Sequence, residues 1–366
     1  MSDTIPGERA TASQIASEFE RLRPYLLRVA YSHLGSLGEA EDVVQEAWLR
    51  LQGAERDEIR DLRAWLTTVV SRLALDALTS ARARREHYVG PWLPEPLVDA
   101  GTVSADPAAR VELDESVSMA LLIVLESLSP AERSAFLLHD VFGYSFPEVA
   151  RIVDRTPQAT RQLAARARNA VEARRPRYPA SEDQQREVIE AFLAATQNGE
   201  IAMLLELLDP EVTFRSDGGG LVPAAPKVFT GVEQVVGILT RIFTMLRATA
   251  SADAPVRIFR VLINGAPGLL VDAQYGPSVI SFTLDQGRIT EINSVRNPEK
   301  LRTLTGTPVN LAKPPTRPYS LPRPLNASSR SAERSGLRSS QRSPPATPVG
   351  HALTSGFQGT SSSGAP

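Results

Sequence analysis

Apolar residues recur every three or four positions through the first half of the chain, which is the spacing of helices with one buried face. Phe19, Leu22, Tyr25, Leu26, Val29, Ala30 and Leu34 mark one helix, closed by Gly35. Glu39–Leu51 is a second, with Val43, Val44, Ala47, Trp48 and Leu51 on its apolar stripe and Glu41, Asp42, Gln45, Glu46 and Arg50 opposite. A polar loop, Gln52–Asp61, leads to a third helix, Leu62–Arg85, which begins apolar and ends in Arg82, Arg84 and Arg85. Near the C-terminal side the pattern changes. A helix Glu182–Gln197, capped by Ser181 and stopped at Asn198–Gly199, is followed by short helices at Ile201–Leu208 and Val232–Leu246. Strands are expected at Glu211–Ser216, Pro255–Ile263, Gly268–Tyr275, Ser278–Leu284 and Arg288–Val295. Helices followed by a strand meander predict a curved antiparallel sheet wrapped around helices.

Between these blocks, Leu128–Arg175 carries the sharpest local grammar. Ser129, Pro130 and Glu132 form a helix-start signal, and Gly143 ends that helix. A short helix, Phe146–Val153, breaks at Asp154–Arg155; Thr156 and Pro157 then start a third helix running to about Arg174. From Thr156 to Arg175 the only acid is Glu172, against Arg161, Arg166, Arg168, Arg174 and Arg175. Helix, short helix, tight turn and basic helix is the order of a helix-turn-helix DNA reader. The competing reading is a helical hairpin with a solvated charged face. A face that needs only solubility would mix both signs, whereas a face meeting phosphates would not.

Composition narrows the picture. The chain has 366 residues, enough for two or three domains, and a net charge of −2, so a nucleic-acid footprint must be local. With no Cys there is no disulfide, thiolate metal site or cysteine nucleophile, which fits a reducing cytoplasm. The polar N-terminus has no signal-peptide core, and no apolar run approaches membrane-spanning length. His33, His87, His139 and His351 are scattered, so no metal or cofactor is expected. Three prolines, Pro91, Pro94 and Pro96, forbid helix in Gly90–Pro107, and Trp92 and Leu93 suit an extended segment docked in a groove. The last stretch, from about Thr303, is rich in Ser, Pro, Arg, Thr and Gly, and reads as a disordered basic tail.

DVVQEAWLRL (Asp42–Leu51), RAWLTTVVSRLALDAL (Arg63–Leu78) and the helix-turn-helix resemble, in order and spacing, the extracytoplasmic-function sigma factors of bacterial RNA polymerase. WLPEPL in the linker, SDGGG (Ser216–Gly220), VLINGAPGLL (Val261–Leu270) and RNPEKL (Arg296–Leu301) resemble the subgroup with a fused SnoaL-like domain. One departure is Leu221, where that subgroup has a lysine after the glycines. The resemblance implies a multidomain fold: two all-α sigma domains, a helical −10 domain at 12–89 and a helix-turn-helix −35 domain at 111–176, joined by a linker at 90–110. An α+β SnoaL-like cone follows at 181–302, then the tail at 303–366.

It also implies roles. Asp42, Gln45, Glu46 and Leu49 would contact core polymerase, its beta and beta-prime subunits. Arg72, Asp76, Arg82, Arg84 and Arg85 would face −10 DNA, with the loop Gln52–Asp61 holding a flipped base. Thr156, Gln158, Arg161, Gln162, Arg166 and Arg168 would face the −35 major groove. Trp92, Leu93, Pro94, Asp217, Gly218, Gly219, Gly220, Asn297 and Pro298 would join the third domain to the rest, making it a regulator in cis in place of a separate anti-sigma protein. A small-molecule ligand in the cone is a further expectation.

Two other readings remain. A one-component regulator, a helix-turn-helix with a sensing domain, has no need of the helices at 12–87. An enzyme on the SnoaL-like fold would want a proton-transfer group in the cone. Residues 181–302 contain no His, and the acids there are Asp217, Asp272, Asp285 and Glu291, with Asp272 expected to face outward by strand alternation. No catalytic residue is expected.

Overall fold

The N-terminal helices follow the apolar stripes closely. They are α1 (Pro6–Leu34), α2 (Leu37–Gln52) and α3 (Leu62–Arg85). Gly35 ends α1 at φ +66°, and the Ser36 side chain caps α2 by accepting the Glu39 N–H. The computed structural model describes residues 6–55, 59–85, 88–99, 117–174, 176–178, 180–249 and 256–304, all within one compact unit. The side chains of Arg82, Arg84 and Arg85, the tip of the loop after α2, residues 100–116 of the linker and the tail from 305 lie outside the described residues.

The second helical block is α4 (Met119–Leu125), α5 (Pro130–Phe136), α6 (Phe146–Ile152) and α7 (Pro157–Arg174). Helix α4 is not among the elements expected from the sequence. Ser129 and Glu132 make the reciprocal capping box expected of them. The helix they start differs from expectation at its end: Leu137–Val141 widens into a π turn before Gly143, at φ +76°, stops it. The break before α7 lies at Asp154, whose φ is +52°.

The third block packs α8 (Glu182–Asn198), α9 (Ile201–Leu207) and α10 (Val232–Thr249) against a sheet. Its strands are β1 (Val98–Asp99), β2 (Leu208–Asp217), β3 (Phe229–Thr230), β4 (Arg257–Ile263), β5 (Ala266–Asp272), β6 (Ser278–Asp285) and β7 (Arg288–Val295), in the spatial order β1-β4-β5-β6-β7-β2-β3. Two features correct the expected antiparallel meander. β2 lies parallel to β7, because α10 and four strands separate them and the chain returns from the far side of the sheet. β1 comes from the proline-rich linker and pairs with β4, so the linker is an edge strand of the third domain.

Both faces of this sheet carry buried apolar residues, which fits the consecutive apolar residues Val261–Ile263 of β4 and Leu269–Val271 of β5. Ile258, Leu269, Phe282, Ile289 and Ile292 join Phe192, Leu193 and Val235 in the helix-filled cone. Phe259, Val261, Ile263, Leu270, Val279 and Val295 face the other way, into the core that holds α1–α3 and the linker residues Leu93, Leu97 and Val98. One apolar core thus spans the first and third blocks.

Candidate functional site

On α2, Val43, Val44 and Ala47 are buried, which leaves Asp42, Gln45 and Leu49 exposed on the opposite side. Leu49 is 53% exposed, an apolar side chain in a polar patch. Glu46 is half-buried and ion-paired to Arg50 at 3.1 Å. On α3, Arg72 and Asp76 are exposed one turn apart.

On α7, Thr160, Ala164 and Ala167 turn inward, so Gln158, Arg161 and Gln162 form an exposed row. Thr156 caps the helix, accepting the Ala159 N–H at 3.2 Å, and Arg161 lies over the Phe146 ring at 5.3 Å. Arg166 and Arg168 do something the sequence does not announce. Arg166 pairs with Glu132 at 2.7 Å and Arg168 with Asp140 at 2.6 Å, tying α7 to the helix that starts at Pro130.

The two helical blocks also hold each other. Arg72 donates to the Arg151 carbonyl at 2.8 Å, and the Tyr25 and Tyr144 hydroxyls share a hydrogen bond of 3.1 Å. The Arg133 guanidinium is 1% exposed; it pairs with Glu126 and donates to the Ser32 carbonyl at 3.1 Å. His33 lies fully buried nearby. Burial, with Arg133 adding to it, lowers its pKa to about 4 despite the bond between its Nδ1 and the Val29 carbonyl, and its Nε2 has no partner among the described residues.

The sequence motifs of the linker and third domain converge on one carboxylate. Asp217, at the end of β2, is 0% exposed. Its Oδ1 accepts from the Tyr88 hydroxyl at 2.6 Å and the Gly219 N–H at 3.0 Å. Its Oδ2 accepts from the Leu93 N–H at 2.9 Å and pairs with Lys300 at 2.7 Å. Asn297 donates to the Tyr88 hydroxyl at 2.9 Å, and Lys300 sits 4.0 Å from the Trp92 ring centre while donating to the Leu93 carbonyl. Burial first, then the bond to Asp217, raises the Tyr88 pKa, so the phenol stays a donor. The glycines allow the approach. A Cβ on Gly219, at φ +64°, would lie 2.5 Å from Asn297 Nδ2, and one on Gly220 would touch Val89. Pro298 is exposed at the rim, beginning the 3-10 turn that carries Lys300. Leu221 is 60% exposed, and the cation of this clamp is Lys300.

A second set of contacts seats the rest of the linker. The Asn264 side chain accepts the Leu97 N–H at 3.1 Å and donates to the Tyr31 hydroxyl at 3.0 Å, and that hydroxyl donates to the Glu95 carbonyl at 2.7 Å. The Glu95 carboxylate accepts the Leu37 N–H at 2.8 Å, at the start of α2. Burial raises the Glu95 pKa against these hydrogen bonds. Trp92, Leu93, Asp217, Gly219, Gly220 and Asn297, expected to act between domains, therefore meet in one place. Tyr88, Glu95, Asn264 and Lys300 belong with them and were not singled out. Gly218 supports the turn, with Val222 O only 2.4 Å from where its Cβ would be, and Pro94 lies against Gly35.

Asp272, at the end of β5, does not line the cone as Leu269 and Val271 do, and is ion-paired to Arg257 at 3.1 Å. Among the described residues no three His, Cys, Asp or Glu gather as a metal site, and no helix is long and apolar enough to cross a membrane.

Known proteins match this arrangement. The sigma-70 region 2 family matches residues 19–84 and the sigma-70 region 4 family residues 118–171. The ECF RNA polymerase sigma factor SigJ of Mycobacterium tuberculosis is 40% identical over 298 residues, 80% of this chain and 94% of that protein. The probable ECF RNA polymerase sigma factor SigI of the same organism is 36% identical over 290 residues, 78% of this chain and 94% of that protein. The crystal structure of SigJ superposes with a TM-score of 0.62 at 36% identity, covering 80% of this chain and 99% of that one. With both promoter-reading regions in order and a SnoaL-like cone clamped behind them, the chain belongs to the extracytoplasmic-function RNA polymerase sigma factors.

Proposed function

We propose that this sigma factor is held in a compact state by its own third domain and must open to direct initiation. The observation that carries this is the Asp217 clamp, which fixes the linker between the two promoter-reading blocks. A −10 and a −35 element lie about 25 base pairs apart, roughly 80 Å at ~3.4 Å per base pair. Helices α3 and α6 are in contact here, with Arg72 bound to the Arg151 carbonyl. Blocks that touch in this way cannot read both elements of one duplex. Release of the linker frees them to separate. A domain that supplies this restraint within the chain takes the place of a separate anti-sigma protein.

In the open state, Asp42, Gln45, Glu46 and Leu49 meet core polymerase on its beta and beta-prime subunits. Arg72 and Asp76, with Arg82, Arg84 and Arg85, face −10 DNA. Thr156, Gln158, Arg161 and Gln162 read the −35 major groove, where Arg suits guanine and Gln adenine. Arg166 and Arg168 border that surface and reach phosphates by exchanging their acid partners. The domains divide at 12–89, 90–110, 111–176, 181–302 and 303–366. The protein acts in the cytoplasm, as a specificity subunit without a reaction or cofactor of its own.

Capture of core polymerase tests the reading. Wild-type chain retains core polymerase and Leu49→Arg does not. Tight operator binding by the chain alone, with no affinity for core polymerase, would favour a one-component regulator instead.

A further inference from the structure

The cone holds a half-open cavity of about 290 Å³ between α8, α10 and the sheet. Its walls are apolar: Phe192, Leu239, Phe243, Leu246, Leu269 and Ile280. One end is different. Along β2 the inward positions run Phe214 then Ser216, and along β7 they run Ile292, Ser294 and then Arg296 just past the strand. Ser278 closes the same end. The strands thus deliver three hydroxyls and one guanidinium to one end of a mostly apolar chamber, and the other charged lining residue, Arg241 of α10, is exposed to water.

Arg296 is half-buried, and every hydrogen bond of its guanidinium goes to a neutral group. Its Nε donates to Ser278 Oγ at 3.0 Å and its Nη1 to the Pro223 carbonyl. Among the described residues no carboxylate lies within ion-pair distance of it, whereas Arg215, Arg257 and Arg260 of the same domain each have one. Removal from water disfavours its charge, lowering its pKa with nothing to offset the effect. A cation drawn toward an apolar chamber without a counter-ion is a costly arrangement unless an anion arrives with the occupant.

We propose that the cavity binds an apolar monocarboxylic acid, its carboxylate on Arg296 and the seryl hydroxyls and its hydrocarbon against the phenylalanines. At roughly 30 Å³ per water-sized unit, the volume suits about ten non-hydrogen atoms, the size of octanoate. The position has a consequence for the clamp. The backbone N–H groups of Arg296 and Asn297 both donate to the Asp217 carbonyl, at 2.7 and 2.9 Å. The residue that takes the carboxylate therefore abuts the residue that holds the linker. Binding itself stands on the cavity alone; its effect on transcription rests on the cis-restraint reading.

The test is calorimetric titration of the full chain with octanoate, 1-octanol and octylamine. Octanoate binds at least tenfold more tightly than either. Arg296→Leu abolishes that preference and leaves octanol binding unchanged, Arg296→Lys keeps it in part, and Ile238→Trp, which fills the chamber, weakens octanoate and octanol alike. Circular dichroism confirms that each variant is folded, and Arg296→Lys keeps the charge should Arg296→Leu fail to fold. No octanoate binding at millimolar concentration, equal binding of octanoate and octanol by wild type, or full preference in Arg296→Leu would each overturn the proposal. Octanoate binding with no change in transcription would leave the site standing and count against the cis-restraint reading.

Discussion

Replacing Asp217 by Asn keeps the shape of the clamp and removes its charge. The carboxylate accepts four donors: the Tyr88 hydroxyl, the Leu93 and Gly219 N–H groups and the Lys300 ammonium. An amide oxygen can serve one side of that set, and the amide nitrogen confronts donors on the other. The side chain is 0% exposed and that of Lys300 is 11% exposed, so water screens little of the loss. Removing one partner of such a pair costs about 3–5 kcal/mol, and at about 1.4 kcal/mol per decade that is a hundredfold or more in local opening. The readout is amide hydrogen exchange at Leu93, whose N–H donates to Asp217 directly. In Asp217→Asn the exchange rises by about two orders of magnitude or more, while amides in α7 barely change. Global melting falls by several degrees, at about 2–4 °C per kcal/mol. Unchanged exchange at Leu93 would refute the reasoning, because it would mean that the linker is seated by apolar burial alone.

Gly219→Ala drives a methyl into Asn297 at a positive φ, so it destabilises by about 1–3 kcal/mol and loosens the same linker amides; thermal melting and exchange report both. His33 gives a pH dependence. Its folded pKa, about 4, lies below its unfolded value of 6.5, so its contribution is complete above pH 6.5 and is lost as pH falls from there toward 4. The loss is about 3 kcal/mol, and denaturant titrations of wild type and His33→Gln from pH 7 to 4 differ in slope over that window. Arg161→Ala and Gln162→Ala weaken promoter binding at the −35 element by about 1–3 kcal/mol each and leave capture of core polymerase intact, as gel shifts with holoenzyme measure.

The helices were legible because each carries its own punctuation. Ser129 with Glu132, Ser181, and Gly199 at φ +74° specify ends locally, and the structure uses all of them. The strands were legible as apolar runs, but pairing is a long-range property. Nothing local in Val98–Asp99 announces that it will pair with Leu262–Ile263, nor that β2 will run parallel to β7. The clamp was half legible. Its glycines, prolines, Asp217, Asn264 and Lys300 stood in motifs, but no motif says which side chains will meet, and Tyr88 lies outside all of them and matters only through a contact across a long stretch of sequence. Leu221 stands where a lysine is expected after the glycines and is 60% exposed, and the cation that meets Asp217 is Lys300 of the 3-10 turn. Arg166 and Arg168 illustrate the limit of charge counting: both were expected to face the −35 groove, and each is matched by an acid, Glu132 of α5 or Asp140 of the π turn that follows it.

Run-off transcription with core polymerase tests the central claim most directly. The template is a promoter taken from the region upstream of the protein's own coding sequence, and three forms are compared: the full chain, a chain ending near Arg302 and a chain ending near Pro176. The account predicts transcripts only when the protein is added, and an output that changes when the third domain is removed or when Asp217→Asn loosens the linker. No initiation with any form, while the protein alone protects DNA from cleavage, would contradict it.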